Sequence, residues 1–534
     1  MKLDLAVSGG RIIDGAGNPW FKADLGTVNG KIAKIGDLSR DSAGEAIDAE
    51  GLVVTPGFID MHTHSDSVLL INPLAESKIR QGVTTEVIGN CGSSLAPLNS
   101  FTREEAKKRM GLEGRHISWD WLSFGSFLRK MERIGPAVNV VPLVGNVPVR
   151  TMVMGFDRRK PRPGELAEMR SITARCMEEG AFGLSSGLIY SPSGYAKTQE
   201  LIELCKVAAK YGGIYSTHIR GEGETLIKAV KEAITIGAKA QLPVEISHHK
   251  AAGRKNWGKV EKTLKMIHEA RDNGVDVTCD VYPYTAGATG LATAIPPWAH
   301  EGGMEKLLER LRNPKTRAGI KREIRRGIPG WENMIKEGGP GNVLITSAEK
   351  NRKYQGKTLA ELARMKRREP VEFMFDLLLE EKGIVGMVIF TMREQDMNRV
   401  LSDPVSMVGS DASSMAPYGI LGKGKPHPRA YGTFPRVLGK YVREEKLLTL
   451  PEAVRKMTTL PAQKLGLWDR GLIAEGAWAD LVVFDEDRVI DKATYADPHR
   501  YPAGISYVIV NGKTVIRKGA HTKSRPGKVL RKKK

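Results

Sequence analysis

Apolar and polar positions along this chain of 534 residues follow two different patterns. Near the start, short runs such as LDLAVSGGRIID and GKIAKIGDL are broken by Gly and Asn, which is typical of strands joined by tight turns. The end of the chain is similar, because VIVNGKTVI places Asn511 and Gly512 between two strand-like runs and predicts a hairpin. We therefore predict one small sheet domain built from both termini.

The middle of the chain alternates apolar runs with amphipathic helical segments such as GELAEMRSITARCMEEG and TQELIELCKVAAKYGG. Such alternation predicts parallel strands with right-handed crossovers, and eight strands are the number that closes a barrel. The runs are LVVTPGFIDMHTH, GVTTEVIGNCG, AVNVVPLVGN, GAFGLSSGL, GGIYSTHI, LPVEISHH, GVDVTCDVYPY and DPVSMVGSD.

A long connection separates the last two runs, and it exceeds an ordinary barrel loop by far. Within it, HEGGMEKLLERLRNPKTRAGIKREIRRG and TLAELARMKRREPVEFMFDLLLEEKG are predicted to be helical. We interpret this segment as an insertion that covers the substrate.

Composition limits the classes of protein to which the chain could belong. Lys and Arg number 82 against 61 Asp and Glu, a net charge of +21, but the charges are dispersed and fit a solvated basic surface. The one dense basic run, RPGKVLRKKK, is expected to be a disordered end. Four cysteines do not make a disulfide framework, and we see neither a signal peptide nor a run that could span a bilayer. We expect a soluble cytoplasmic protein.

Metal-binding residue types recur where the predicted barrel strands end. His62 and His64 are one residue apart, so on a strand their imidazoles point to the same side. The carboxyl ends of barrel strands meet at one mouth, and His, Cys and carboxylate are ligands of zinc and similar metals. The residues at these ends are His62, His64, Cys91, His218, His248, His249 and Asp411. Each alone has an ordinary structural explanation, but together they predict a metal site. Cys176, Cys205 and Cys279 we regard as small buried apolar residues.

Several of these segments resemble one known family over nearly the whole chain apart from the long insertion. The motifs are PGFIDMHTHSD, GVTTEVIGNCGSSLAP, GAFGLSSGLIYSP, STHIRGE, ISHHKAAG, YPYTAG and SDASSMAPYG with HPRAYGTFPRVLGKYVRE. They look like the N-acyl-D-amino-acid deacylases (D-aminoacylases) of the metal-dependent amidohydrolase superfamily. LTLPEAVRKMTTLPAQKLGLWDRGLIAEGAWADLVVFD is similar to that superfamily's usual exit from the barrel.

This resemblance implies an α/β fold, a distorted TIM (β/α)8 barrel with a small β-sandwich formed by both termini and a long insertion before the last barrel strand. We expect residues 1–55 and 467–534 to form the sandwich and its basic tail, and residues 56–466 to form the barrel, with the insertion at about 298–400. The sequence departs from the family's usual pattern at Asn146, where His is usual.

The resemblance also implies an activity, the hydrolysis of N-acyl-D-amino acids, or of dipeptides with a D-residue, to a carboxylic acid and a free D-amino acid. It places a tightly held Zn²⁺ on Cys91, His218 and His248, with His62, His64 and Asp411 around a second, weaker metal position. Asp411 is the expected general acid and base.

The substrate's free carboxylate needs a cationic partner. Arg429 offers a bidentate fork, Lys250 is a second candidate, and Tyr190 and Tyr282 can donate hydroxyls, although a packing role is the alternative for each. His249 is expected to point away from the site, because neighbouring residues of a strand face opposite sides.

Three alternatives remain at the level of sequence. The first is another amidohydrolase, such as a cyclic amide or imide hydrolase, although the fourth run lacks the Lys that related enzymes carboxylate to bridge two metals. The second is a metal-free scaffold, although here every ligand position is filled. The third is a basic nucleic-acid-binding protein, which depends on net charge alone. Neither the oligomeric state nor the preferred acyl group follows from the sequence.

Overall fold

Strands occur in three regions of the molecule: a central barrel, a sandwich and an antiparallel sheet. The computed structural model describes residues 1–532. In chain order the strands are β1 (Lys2–Ser8), β2 (Arg11–Ile12), β3 (Phe21–Lys22), β4 (Asp24–Val28), β5 (Lys31–Gly36), β6 (Ser42–Asp48), β7 (Val53–Pro56), β8 (Phe58–Asp60), β9 (Val83–Ile88), β10 (Asn139–Pro142), β11 (Val144–Gly145), β12 (Gly183–Gly187), β13 (Ile214–His218), β14 (Val244–Ile246), β15 (Val277–Val281), β16 (Ala286–Gly290), β17 (Val343–Ala348), β18 (Val385–Phe390), β19 (Ser406–Val408), β20 (Leu481–Phe484), β21 (Ile505–Val510), β22 (Lys513–Arg517) and β23 (Ala520–His521).

Helices follow most of the barrel strands and form part of the insertion. They are α1 (Val68–Ile71), α2 (Glu76–Ile79), α3 (Ser100–Arg109), α4 (Gly111–Arg115), α5 (Phe124–Ile134), α6 (Asn146–Met154), α7 (Pro163–Glu178), α8 (Thr198–Ala209), α9 (Leu226–Ala240), α10 (Lys259–Asp272), α11 (Met304–Arg312), α12 (Pro314–Arg326), α13 (Met334–Gly338), α14 (Leu359–Met365), α15 (Pro370–Glu380), α16 (Glu394–Ser402), α17 (Arg429–Arg436), α18 (Leu450–Met457) and α19 (Thr459–Leu465), with a π-helix at Val437–Glu444. Short 3₁₀ turns lie at Ser193–Tyr195, Arg254–Asn256, Leu291–Ala294, Pro297–His300, Pro340–Asn342 and Arg352–Tyr354.

The barrel strands pair in sequence order. β8, β9 and β10 form one parallel group, and β11 to β15 followed by β19 form the next. Only Leu143 separates β10 from β11, and a parallel bridge between Thr63 and Ala412 joins the first strand to the last. Strands such as β9 and β12 are buried along their whole length, as expected when helices cover the outside of a barrel. The predicted eight-stranded barrel is confirmed.

Neighbouring residues along a barrel strand belong to two different apolar clusters. Phe58 and Ile88 pack with the large cluster that contains the surrounding helices. Ile59, Val87 and Met407 instead belong to a second cluster with residues of other barrel strands. This is the alternation of a filled barrel, in which inward side chains form a core and leave the chemistry to the strand ends.

Both termini build the sandwich, as predicted. One sheet has the order β5-β4-β1-β6, and the other has the order β23-β22-β21-β20-β7-β2-β3, so N-terminal and C-terminal strands are neighbours. Leu5, Leu25, Leu481 and similar residues of both termini share one apolar cluster. The hairpin between β21 and β22 turns at Asn511 and Gly512, which both have positive φ. The exact division of the chain into 1–55, 56–466 and 467–534 stays a prediction.

The insertion has its own sheet and its own core. β16, β18 and β17 pair antiparallel in that order, and β16 belongs to this sheet although it precedes residue 298. The two predicted helical stretches are present, but each is divided in two. Asn313 caps α12 and Pro314 begins it, while Pro370 begins α15 after the break at Arg367, which has φ 51°.

The C-terminal segment packs against the barrel, which corrects the expected disordered end over residues 525–532. Val529 forms a bridge with Val140, Arg531 pairs with Glu132 at 2.8 Å, and the Lys528 ammonium lies 3.7 Å from the centre of the Trp478 ring. The basic composition of this segment predicted side chains surrounded by solvent, but each of the three residues named above has a specific partner. The remaining residues of the basic run, 533–534, lie outside the described part of the chain.

Candidate metal and amide-hydrolysis site

All six residues predicted to bind metal meet at the carboxyl ends of the barrel strands. His62 and His64 follow β8, Cys91 follows β9, His218 ends β13, and the remaining two, His248 and Asp411, follow β14 and β19. Their donor atoms form three overlapping groups, each with all atoms within 4.8 Å of one another: His62 with His64 and Cys91, Cys91 with His218 and His248, and His62 with His248 and Asp411.

Distances within the cluster are short for groups that lie on different strands. The Cys91 Sγ is 3.4 Å from His62 Nε2, 3.8 Å from His218 Nδ1 and 3.7 Å from His248 Nε2. The Asp411 Oδ1 is 3.1 Å from His64 Nε2 and 3.6 Å from His62 Nε2. The arrangement therefore brings one thiol, four imidazoles and one carboxylate to a single point.

Backbone strain is concentrated at this point. Cys91, His248 and Asp411 have φ angles of 51°, 39° and 51°, in the left-handed region that residues other than Gly rarely adopt. Such conformations cost free energy and persist where the surrounding structure enforces them, which happens most often at functional sites. All three turns direct a donor atom toward the common point.

Opposite charges shift the pKa values within the cluster. Burial alone would raise the pKa of the Cys91 thiol, but the His62 charge and hydrogen bonds from His218 and His248 hold it well below its usual range. Burial likewise opposes ionisation of Asp411, yet the Arg429 charge keeps the pKa of that carboxyl well below its ordinary value. Burial lowers the pKa of His64, but the hydrogen bonds and charges of Asp411 and Cys91 together raise it to about 9. The anionic forms of Cys91 and Asp411 are therefore favoured.

These residues fit a zinc site by their own chemistry. A thiolate and imidazoles are the donors that zinc takes in proteins, and a divalent cation would neutralise the negative charge that the buried thiolate and carboxylate concentrate. Among residues 1–532 the buried Nε2 atom of His218 has no hydrogen-bond partner, so no hydrogen bond from this atom fixes the orientation of the ring. The cluster is thus suited to hold a metal ion.

Two carboxylates that the sequence analysis missed orient the histidines. Asp280, on β15, lies 3.2 Å from His62 Nδ1 and accepts a hydrogen bond from the His248 backbone N–H at 2.9 Å. Glu222 lies 2.9 Å from His248 Nδ1. Carboxylates in this position fix the tautomer and the direction of ligating imidazoles. The available signals were the charged residues inside the motifs VTCDVYPY and STHIRGE, which place them on or directly after barrel strands.

The four predicted substrate-binding residues surround the cluster. Arg429, at the start of α17, lies 2.9 Å from Asp411 Oδ2 and 4.5 Å over the Tyr282 ring, and its Nε has no hydrogen-bond partner. Lys250 forms an ion pair with Glu222 and a 2.8 Å contact with His248 Nδ1. The Tyr190 ring lies 5.1 Å from that of His218. The structure thus brings all four together, while their roles toward substrate stay predictions.

Two further residues are placed by the structure. His249 points away from the cluster, as predicted, and its Nε2 contacts Thr263 on α10 at 2.8 Å. Asn146 is buried and accepts a hydrogen bond from the Ser193 hydroxyl at 2.7 Å, while its Nδ2 has no partner. A Cβ added to Gly92 would lie 2.5 Å from the Asn146 Oδ1, so Asn146 packs against the loop that carries Cys91.

Two cavities lie beside the cluster and share Asp411, Ile189 and Tyr190. The smaller one, of about 50 Å³, also contains His218, His248, Lys250 and Tyr282 in its lining. The larger one, of about 1070 Å³, contains His64 and Cys91 and extends along the insertion. A molecule bound across Asp411 would therefore enter both cavities at once, with one half on each side of the cluster.

Comparison with known proteins agrees with this arrangement. Residues 45–516 match the Amidohydrolase family. The chain is 38% identical over 527 residues to the D-aminoacylase of Alcaligenes xylosoxydans xylosoxydans, an alignment that covers 99% of this chain and 97% of that one.

Two solved structures are similar over the full length. One is the N-acyl-D-glutamate deacylase of Bordetella bronchiseptica, complexed with zinc and a phosphonate inhibitor that mimics the tetrahedral reaction intermediate; it is 34% identical, with a TM-score of 0.83 and coverage of 99% of this chain and 100% of that one. The other is a D-aminoacylase studied for its binuclear metal centre, in which one metal activates and a second attenuates; it is 36% identical, again with a TM-score of 0.83 and coverage of 99% and 100%.

No helix among residues 1–532 has both the length and the apolar character needed to cross a membrane.

The eight-stranded barrel, the ligand cluster at its mouth and the full-length similarities to known proteins lead to one assignment. The chain belongs to the amidohydrolase family, in the group that contains the D-aminoacylases.

Proposed function

We propose that this protein hydrolyses the amide bond of N-acyl-D-amino acids and releases a carboxylic acid and a free D-amino acid. The observation that carries the proposal is the convergence of Cys91, His218, His248 and Asp411 at one point between two cavities. Full-length similarity to D-aminoacylase and to N-acyl-D-glutamate deacylase supports the substrate class.

Cys91, His218 and His248 are proposed to hold a tightly bound zinc ion, while His62, His64 and Asp411 surround a weaker second position. When bound, zinc supplies Lewis-acid chemistry that activates water and polarises the amide carbonyl. The residues prepare this position, since Asp280 orients His62 and Glu222 orients His248.

Asp411 is the proposed general base and acid. Burial opposes the ionisation of Asp411, but the charges of Arg429 and of the neighbouring histidines hold its pKa low, so the group is present as the carboxylate that a general base requires. Water adds to the amide carbon and forms the C–O bond while Asp411 takes one of its protons. The C–N bond then breaks as Asp411 passes that proton to the departing nitrogen. The second proton of the attacking water also moves to the nitrogen, so the products at neutral pH are a carboxylate and an ammonium group.

Recognition of the amino-acid half is proposed for Arg429 and Lys250, with Tyr190 and Tyr282 beside them. Arg429 is almost fully buried, and its Nε is free of hydrogen bonds. Substrate entry would let a second carboxylate share this guanidinium, and paired hydrogen bonds would fix which face of the α-carbon meets the reaction centre. Such fixation is a physical basis for selecting the D-enantiomer.

The substrate is a small molecule, and no nucleic-acid partner is needed to explain the site. A cytoplasmic location is part of the proposal, supported by four cysteines that are all free thiols.

Chiral chromatography of N-acetyl-D- and N-acetyl-L-amino acids incubated with purified protein tests the activity, and we expect cleavage of the D-series. A matched pair of variants tests recognition. Arg429→Lys should lose much of the wild-type preference for the free acid over its methyl amide, whereas Arg436→Lys should keep it, because Arg436 pairs with Asp491 instead. Equal acid-to-amide ratios in wild type and Arg429→Lys would rule out Arg429 and favour Lys250. Cleavage of L-substrates alone would overturn the proposed function.

A further inference from the structure

The two cavities beside the cluster differ in size and in chemistry. The smaller one has charged walls, with Lys250, Glu222, Glu332 and Glu337 in its lining. The larger cavity, of about 1070 Å³, begins at His64, Cys91 and Asp411. Apolar side chains dominate its walls, namely Val147, Phe156, Ile189, Ile295, Met304, Leu308, Ile384 and Val385. Pockets for drug-sized ligands measure about 300–1000 Å³, so an acetyl group would leave most of this cavity empty.

The position of the cations indicates which half of the substrate enters which cavity. Lys250 and Tyr282 line the smaller cavity only, and Arg429 stacks on Tyr282, so the free carboxylate belongs on that side. The group on the other side of the scissile bond, the acyl chain, must then extend into the larger cavity. This assignment depends on the proposed function, because it takes an N-acyl amino acid as the substrate.

We infer that the larger cavity is an acyl-binding chamber and that the enzyme prefers N-acyl-D-amino acids with medium or long aliphatic acyl chains over N-acetyl compounds. Cys91 and Asp411 belong to the lining of the chamber, so its inner end lies where the reacting carbonyl would bind. Each additional methylene that is buried against the apolar wall should raise kcat/KM by up to about 4-fold. The rise should stop when the chain is too long to contact more of the wall.

The exposed charged residues of the chamber are of two kinds: three form ion pairs, and three form none among residues 1–532. Lys108 contacts Glu105 and Glu305, and Arg115 contacts Glu349. Arg109 makes only a 3.5 Å contact with the Ser93 hydroxyl. The exposed charged residues of the lining are Lys108, Arg109, Glu305, Arg312, Arg115 and Lys382. The apolar wall favours an uncharged chain, and an acyl group with a terminal carboxylate is the competing occupant because Arg109, Arg312 and Lys382 form no ion pair among residues 1–532.

The insertion and the segment that leads into it contribute much of the wall, so a substitution there should change chain-length preference without touching the reaction centre. Thr293 lines the chamber, is partly exposed and lies in the 3₁₀ turn Leu291–Ala294. Thr293→Trp places a large ring in the chamber. Met365→Trp is the matched control, because Met365 is 64% exposed on the insertion surface and is not in the lining of either cavity within the described residues.

The experiment measures kcat/KM for acetyl, butanoyl, hexanoyl, octanoyl and decanoyl derivatives of one D-amino acid, with the succinyl derivative as the anionic comparison. Wild type and Met365→Trp should show a rise of roughly 10-fold or more from acetyl to octanoyl. Thr293→Trp should lose most of that rise and keep the acetyl value within about 3-fold.

The outcomes separate the two proposals. Cleavage of the acetyl compound without a rise along the series would overturn the acyl chamber and leave the proposed function intact. A succinyl derivative preferred over all aliphatic chains would overturn it in favour of an anionic acyl group. No cleavage of any D-substrate by metal-replete protein would count against the proposed function itself. An equal loss for all chain lengths in Thr293→Trp would also contradict the assignment of this wall.

Discussion

The barrel mouth and the insertion above it are built on different principles. At the mouth, nearly every polar side chain has a charged or hydrogen-bonded partner, and Cys91, His248 and Asp411 have strained backbone angles. The insertion instead has its own apolar core and contributes apolar side chains to the wall of the larger cavity. If the proposals above hold, the difference teaches that the reaction and the choice of acyl group reside in separate parts of the chain. Substitutions at the mouth should therefore reduce metal binding or turnover, whereas substitutions in the chamber wall should change the preferred acyl chain.

The largest effect is expected at the mouth, from Cys91→Ala. This change removes the only thiol of the cluster, and we expect loss of the tightly bound zinc together with activity. Elemental analysis and hydrolysis assays check both. Cys176→Ala and Cys205→Ala are controls, since burial raises the pKa of both thiols and neither lies in the cluster. Full zinc content in Cys91→Ala would refute the ligand role.

Asp411→Asn should separate metal binding from proton transfer. The amide keeps the shape of the side chain but cannot accept the proton, so kcat should fall by about 10²–10⁴-fold. Cys91, His218 and His248 remain, and zinc content should therefore stay close to that of wild type. Turnover near the wild-type rate would place the general base elsewhere.

A smaller effect is expected from Asp280→Asn, which weakens the support of two ligands. Asp280 holds both the His62 ring and the His248 backbone, and loss of such support typically costs about 10–100-fold in metal affinity or activity. A competition assay against a chelator measures the affinity. Asp491→Asn, which alters a carboxylate beside Arg436 away from the cluster, is the control. Unchanged affinity in Asp280→Asn would show that the histidines need no such orientation.

The smallest effect concerns the pH dependence of stability in the insertion. Burial raises the pKa of Glu332 to about 8, above the value of 4.5 that the unfolded chain would show. Between these values the folded state binds more protons than the unfolded state, so this residue lowers stability as pH rises from about 4.5 to 8. Glu332→Gln cannot ionise and keeps an oxygen for the Glu222 backbone N–H.

Thermal unfolding followed at two pH values tests this effect. Glu332→Gln should unfold a few degrees above wild type at pH 8.5, and the difference should shrink at pH 5. A difference that is the same at both pH values would show that packing, and not ionisation, determines it. Because Glu332 also lines the smaller cavity, activity on acetyl substrates is measured in parallel and shows whether the change reaches the barrel mouth.

Much of the fold could be predicted because its signals are local. The eight apolar runs, the hairpin at Asn511 and the residues at the strand ends are visible in short windows of sequence. Parallel strands in a barrel then bring the ends together, so the meeting of the six candidate ligands could be predicted without knowing any distance. The outward direction of His249 followed from the same strand geometry.

Other features depend on long-range packing and were not predictable in the same way. Glu222 is 28 residues from Lys250, and nothing local shows that they form an ion pair beside His248. The basic segment at residues 525–532 was expected to be solvated, yet Arg531 pairs with Glu132, nearly four hundred residues away. The chamber arises where helices and strands of the insertion meet the barrel mouth, and periodicity does not show which side chains face it.

Metal reconstitution tests the central claim, that the Cys91 cluster holds the zinc on which amide hydrolysis depends. Wild-type protein is stripped with a chelator, dialysed and titrated with zinc while hydrolysis of an N-acyl-D-amino acid is followed. Activity should be lost on stripping and should return in proportion to added zinc up to one equivalent per chain, while Cys91→Ala should not recover. Full activity in the stripped wild-type protein, or equal recovery by Cys91→Ala, would contradict the account.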